Sequence, residues 1–216
     1  MKKRLIKNKS DIYFVYPGDI NAKTGGYIYE KNILLYAKQN NINIKKIVLS
    51  ENFPFPTKQD IKNFIKILDN IHPDSKIIID GLALEGMFSI FKKLLSYNVI
   101  ALIHHPLYLE FKGQMLKKFL KLEKENFKKI NKFIVTSKNT KDLLIDKFNI
   151  KKNKISVVEP GIKRLKKYNF NKNTKIHLLT CGSIIKRKNY LFLLKVLKPL
   201  DNFILDIVGD TTRDIS

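Results

Sequence analysis

The chain has 216 residues and a formal charge of +23, with 44% apolar and 11% aromatic residues. That apolar content excludes a disordered chain, and the length suits one full domain plus part of another. No apolar run reaches the roughly 20 residues that a bilayer span needs, and the basic segment 1–10 lacks the apolar stretch of a signal peptide.

From residue 11 the chain alternates between two patterns. DIYFVYP (11–17) is a short β-rich run, and GGYIYEKNILLYAKQNN (25–41) follows at helical spacing, with Ile28, Leu34, Leu35 and Tyr36 as its apolar positions. The alternation continues with a strand at 42–50, an amphipathic helix at 57–71, a strand at 75–81 and a helix at 84–96. VIALIHH (99–105) is almost continuously apolar, as a parallel strand buried on both faces should be. A lysine-rich helix spans 112–129, with Leu116, Phe119, Leu120, Phe127 and Ile130 as its candidate stripe. KFIVTS (132–137) and ISVVEPG (155–161) are strands around a helix that Thr136, Ser137 or Asn139 could cap. Such alternation predicts an α/β domain with a doubly wound, mostly parallel, Rossmann-like sheet over 11–162.

Residues 163–174 are rich in Lys and Asn and read as a linker. Strand 175–182, helix 189–200 and strand 202–210 then form one β-α-β unit, the start of a second, incomplete Rossmann-like domain over 175–216. Cys181 is the only cysteine, which excludes an intramolecular disulfide framework and fits a reducing cytosol. It is expected to pack inertly at the end of a buried strand.

Of the 42 basic residues only four are arginine, which disfavours a nucleic-acid reader. Lysine is spread evenly and reads first as a compositional bias, with an anionic lipid surface as the other reading.

Three places carry candidate chemistry. Gly25-Gly26 open a helix after the first strand, and this is either a plain turn and cap or an anion site. His104 and His105 end a strand, where open α/β sheets place ligands; each is either a structural histidine or a donor to substrate oxygens. Gly182-Ser183, followed by Lys186, Arg187 and Lys188, is either a solvated basic loop or a diphosphate grip. No metal site is expected, because no cysteine or third histidine stands at ligand spacing. The carboxylates Asp80, Glu85 and Glu110 form no convincing pair, so a glycosidase-like dyad has no support.

In order, GGYIYEKN, ALIHHPLYLE, FIVTSKNTKDLL, ISVVEPGIK and LLTCGSIIKRKNYLFLLKVL resemble the retaining GT-B glycosyltransferases called family 4. The resemblance covers nearly the whole chain. It implies transfer from a nucleotide-diphosphate sugar (UDP-, GDP- or ADP-linked) without metal or other cofactor. The acceptor would be a polysaccharide, lipopolysaccharide or glycolipid, in the cytoplasm or peripherally at the inner membrane face. By the resemblance, Gly25 and Gly26 match the glycine loop, and His104 matches the histidine near the transferred sugar, with His105 as the alternative register. Arg187 and Lys188 match the basic pair on the donor diphosphate, beside Gly182 and Ser183, and Gly161 matches the interdomain crossing.

Some positions depart from the pattern. Ser183 stands where arginine is frequent, Asn189 replaces the glycine after the basic pair, and Glu159-Pro160 replaces the asparagine before the hinge glycine. No glutamate follows Glu159, so the family's donor-binding glutamate pair is expected to lie beyond this chain. The alternative expectation is a non-catalytic module that binds an acceptor or a partner.

Overall fold

The computed structural model describes residues 11–162 and 175–211. Segments 1–10 and 163–174, read as a basic N-terminus and a linker, lie outside the described residues. The chain divides into two compact units, residues 1–162 and 163–216.

The first unit is a parallel six-stranded sheet in the order β2-β1-β3-β4-β5-β6. Its strands are β1 (Ile12–Pro17), β2 (Ile44–Leu49), β3 (Lys76–Asp80), β4 (Asn98–Ile103), β5 (Lys132–Val135) and β6 (Ile155–Val157). The helices are α1 (Gly25–Gln39), α2 (Lys58–Asp69), α3 (Gly81–Glu85), α4 (Phe91–Leu94), α5 (Gly113–Phe127) and α6 (Lys138–Phe148). Strand pleat decides which residue meets which layer. Phe14, Tyr16 and Leu102 face α1, where they pack with Tyr29, Ile33 and Leu34. Their strand neighbours Val15, Ala101 and Ile103 face the opposite layer, with Phe64 and Leu68 of α2, Phe127 of α5, and Leu144 and Phe148 of α6.

Local chemistry fixes several helix starts. Thr57 caps α2 in a reciprocal box: its hydroxyl accepts from the Asp60 amide at 3.1 Å, and the Asp60 carboxylate accepts from the Thr57 amide at 2.8 Å. Thr57→Ala should lower the stability of this unit by about 1 kcal/mol, read from the denaturant midpoint at unchanged slope. Of the three candidate caps for α6, Ser137 takes the role by accepting from Thr140 N.

Three expectations are corrected. The buried face of α1 is Tyr29, Ile33 and Ala37, in steps of four, while Ile28, Leu35 and Tyr36 are exposed. The helix expected at 84–96 is three short pieces, because Asp80 caps a helix that begins at once at Gly81. That helix stops at Gly86, where a Cβ would lie 2.5 Å from the Phe53 ring. Cys181 is exposed, since its strand lies in a sheet of two.

The second unit pairs β7 (Ile176–Cys181) in parallel with β8 (Phe203–Val208), with α7 (Tyr190–Leu197) between them in sequence. Leu191, Phe192, Val196, Leu179 and Val208 are exposed. No helix among the described residues is long and apolar enough to cross a membrane.

Candidate functional site

Strand order turns around at β1 and β3, and ligands of open α/β sheets gather beyond the carboxyl ends of strands at such a point. Three segments meet there. Gly25 and Gly26 open α1 after β1, Asp80 closes β3, and His104 follows the last residue of β4.

The head of α1 is built around Thr24, whose hydroxyl accepts from Tyr27 N at 3.2 Å. Gly25 and Gly26 have no left-handed φ that would require glycine. A Cβ on Gly25 would meet nothing within 4 Å, and one on Gly26 would sit 3.5 Å from His104 Nε2. Neither backbone conformation nor packing accounts for these glycines. They leave open space and helix-end amides in front of a histidine.

His104 is 23% exposed on its side chain and is held from several sides. Its Nε2 lies 3.5 Å from Glu30 Oε1 and 3.9 Å from Asp80 Oδ2. Tyr29 meets the imidazole edge-on at 5.5 Å, and Thr140 Oγ1 donates to the His104 carbonyl at 3.0 Å. His105 is placed differently: its Nε2 contacts Glu110 Oε1 at 2.6 Å, and its side chain is 47% exposed.

Behind His104 lie two buried acids that sequence reading did not pair. Glu30 comes from the buried face of α1, and Asp80 is the α3 cap, its Oδ1 accepting from Leu82 N at 3.0 Å. Burial raises the Glu30 pKa from 4.5 to about 7, with Asp80 alongside partly offsetting this. Burial raises Asp80 well above its ordinary value, and the nearby Glu30 charge adds to the rise. Burial also pushes His104 below its ordinary 6.5, against a smaller opposing effect of Asp80. Burial therefore disfavours the charged form at all three groups, and the pair shares a proton rather than ionising twice. One donor atom from each of Glu30, Asp80 and His104 falls within 4.8 Å of the others, so the group is also compact enough to hold a cation.

A second pair, Glu85 with Glu123, lies beneath the loop after His104 and is also buried. The absence of carboxylate pairing expected from the sequence is thus corrected twice. Glu123 was signalled by its step of four between Phe119 and Phe127, which places it on the core face of α5.

In the second unit, Gly182 has φ +153° and Gly209 lies hard against it, so that a Cβ on Gly209 would fall 1.8 Å from the Gly182 carbonyl. Tyr190 Oη donates to that carbonyl at 2.9 Å. Ser183 is half-buried and Lys188 exposed, while the side chain of Arg187 lies outside what is described. Asn189 adopts φ 53° and ψ 44°, taking the left-handed conformation that glycine would otherwise supply. Gly161 is the next-to-last residue of the first unit, with nothing within 4 Å of an added Cβ.

Residues 33–164 match the family described as Glycosyltransferase Family 4. Among solved structures, the chain is similar to a glycosyltransferase from Rickettsia africae at 17% identity, over 95% of this chain and 69% of that one, with a TM-score of 0.46. It is also similar to the glycotransferase of kitacinnamycin at 12% identity, over 91% of this chain and 65% of that one, with a TM-score of 0.41. No curated protein matches the sequence.

Proposed function

Because this chain belongs to Glycosyltransferase Family 4, we propose that it serves a retaining, metal-independent GT-B transfer of sugar from a nucleotide-diphosphate donor to a saccharide or lipid-linked acceptor. The observation that carries this reading is the head of α1, where Gly25 is open and Gly26 faces His104. Helix-end amides with a clear approach suit an anionic oxygen, such as one on a phosphate. A neutral imidazole beside them suits a sugar hydroxyl.

The chemistry follows from charge. As the glycosidic bond to the diphosphate breaks, negative charge gathers on the leaving oxygens, and groups fixed in advance stabilise it. In this reading Gly182, Ser183, Arg187 and Lys188 hold the diphosphate and Gly161 serves the crossing between domains. The shared proton of Glu30 and Asp80 removes most of the need for a cation behind His104.

A lipid-linked acceptor at the inner membrane face is supported by one groove. It has a volume of about 600 Å³, apolar walls from Phe55, Phe88, Met115 and Phe119, and Lys58, Lys62 and Lys118 among its lining. Glu85 also lines it, and Glu85 touches the Leu107 amide in the loop that follows His104. Neither His104 nor Gly26 lines the groove, so it suits the chain of an acceptor rather than its reacting end.

Calorimetric titration with UDP-, GDP- and ADP-sugars tests this reading. One of them should bind, and Gly26→Ala should weaken it at least about tenfold while raising helix stability by up to about 1 kcal/mol. Binding of none of the three would sink the proposal, and binding without any transfer would leave a non-catalytic module in its place.

A further inference from the structure

The turn after His104 is held from beneath by the second pair of acids, which the transfer chemistry above does not use. Glu85 is the last residue of α3, and Glu123 lies within α5. Glu123 accepts two consecutive amides, Leu107 N on Oε1 at 2.8 Å and Tyr108 N on Oε2 at 3.2 Å. Glu85 Oε1 takes a longer bond of 3.3 Å from the same Leu107 amide. Its Oε2 is buried with no hydrogen-bond partner among the described residues.

These amides open a single turn of 3₁₀ helix, Leu107–Glu110, whose cap position is Pro106. Proline has no side-chain acceptor, and no side-chain cap bond is present there. Glu123 supplies from a distant helix the acceptor that the local sequence lacks. The surroundings make this an expensive arrangement, since Leu84, Met87 and Phe127 nearby in the same core are fully buried and apolar. An apolar pair would join α3 to α5 at lower cost. It could not hold two backbone amides.

The contacts also divide the roles. Two amide hydrogens favour the ionised form at Glu123, and the closeness of that charge favours the protonated form at Glu85. Burial raises both groups, but bonds from Glu85, Tyr108 and Leu107 hold Glu123 down while the Glu123 charge drives Glu85 further up.

We propose that Glu123, with Glu85 as its protonated partner, is a positioning residue for His104. It pins the turn at Leu107 and Tyr108, while Thr140 of α6 pins the His104 carbonyl. The importance of that position rests on the role assigned to His104 above, but the test below reads position and not transfer.

The test uses the full chain with labelled histidines, followed by NMR together with amide exchange. Gln at position 85 copies a protonated acid, so Glu85→Gln should leave the His104 signals and the exchange of Leu107 and Tyr108 within about twofold of the parent. Glu123→Gln turns an amide group toward two N–H donors, so those amides should exchange about tenfold faster or more. The His104 signals should also move or split, while His72 and His177 stay put as internal controls. If Glu123→Gln does not fold, Glu123→Asp keeps the charge, shortens its reach, and should act in the same direction. Unmoved His104 signals in the folded Glu123 variant, or equal damage from Glu85→Gln, would overturn the proposal. A chain that shows these shifts yet binds no nucleotide sugar would defeat the transferase reading and leave this one standing.

Discussion

Glu30→Gln should stabilise the first unit by about 3 kcal/mol at pH 8 and leave it unchanged near pH 4, because each pH unit of pKa displacement is worth about 1.4 kcal/mol. The Glu30 pKa rises from 4.5 to about 7 through burial, so the fold favours its neutral form. The stability linked to a raised carboxyl is fully present below the unfolded value and is lost as pH rises through the folded one. For Glu30 that window runs from 4.5 to about 7. Glutamine has the shape of the protonated acid and no charge to lose, so the variant should not show the decline. Unfolding followed by circular dichroism between pH 4 and pH 8 checks this, and parallel curves for parent and variant would refute it. A stabilising change at a buried acid that touches His104 would mark Glu30 as kept for work rather than for stability.

His104→Ala should reduce sugar transfer by about 10²- to 10³-fold, the usual effect of removing one pre-positioned hydrogen-bonding group. His105→Ala should matter far less, because His105 is turned to the partly exposed Glu110. Burial holds His104 below its ordinary value. Its neutral form is therefore favoured, and the parent rate should fall as pH drops below the neutral range. Release of nucleoside diphosphate, measured across pH for both variants, gives the comparison. Equal losses at the two histidines would remove His104 from its assigned place.

The β and α alternation was legible because each strand is a dense apolar run and each helix carries its own start signal. Thr57 with Asp60 and Ser137 with Thr140 needed only neighbours in sequence. What escaped was longer in range. Glu30 meets Asp80 and His104 only once α1, β3 and β4 lie side by side, and Glu85 meets Glu123 only across two helices. A trace of each was present, since Glu30 follows Tyr29 on the buried face of α1 and Glu123 sits in step with Phe119 and Phe127. Reading α1 by its densest apolar stretch pointed to Leu35 and Tyr36, which face outward. Asn189 escaped for another reason: it looks like the loss of a glycine, yet asparagine tolerates the same left-handed turn.

The two acid pairs have a consequence for the charge of the molecule as a whole. The formal value of +23 treats every aspartate and glutamate as ionised. Asp80 and Glu85 stand at the two ends of one short helix, and burial beside a neighbouring acid raises each well above its ordinary value. The fold therefore keeps these protons to higher pH than the amino-acid count implies, and unfolding above the ordinary carboxylate range hands protons back to the solvent. Part of the positive field of the lysines goes unopposed wherever the fold keeps an acid silent.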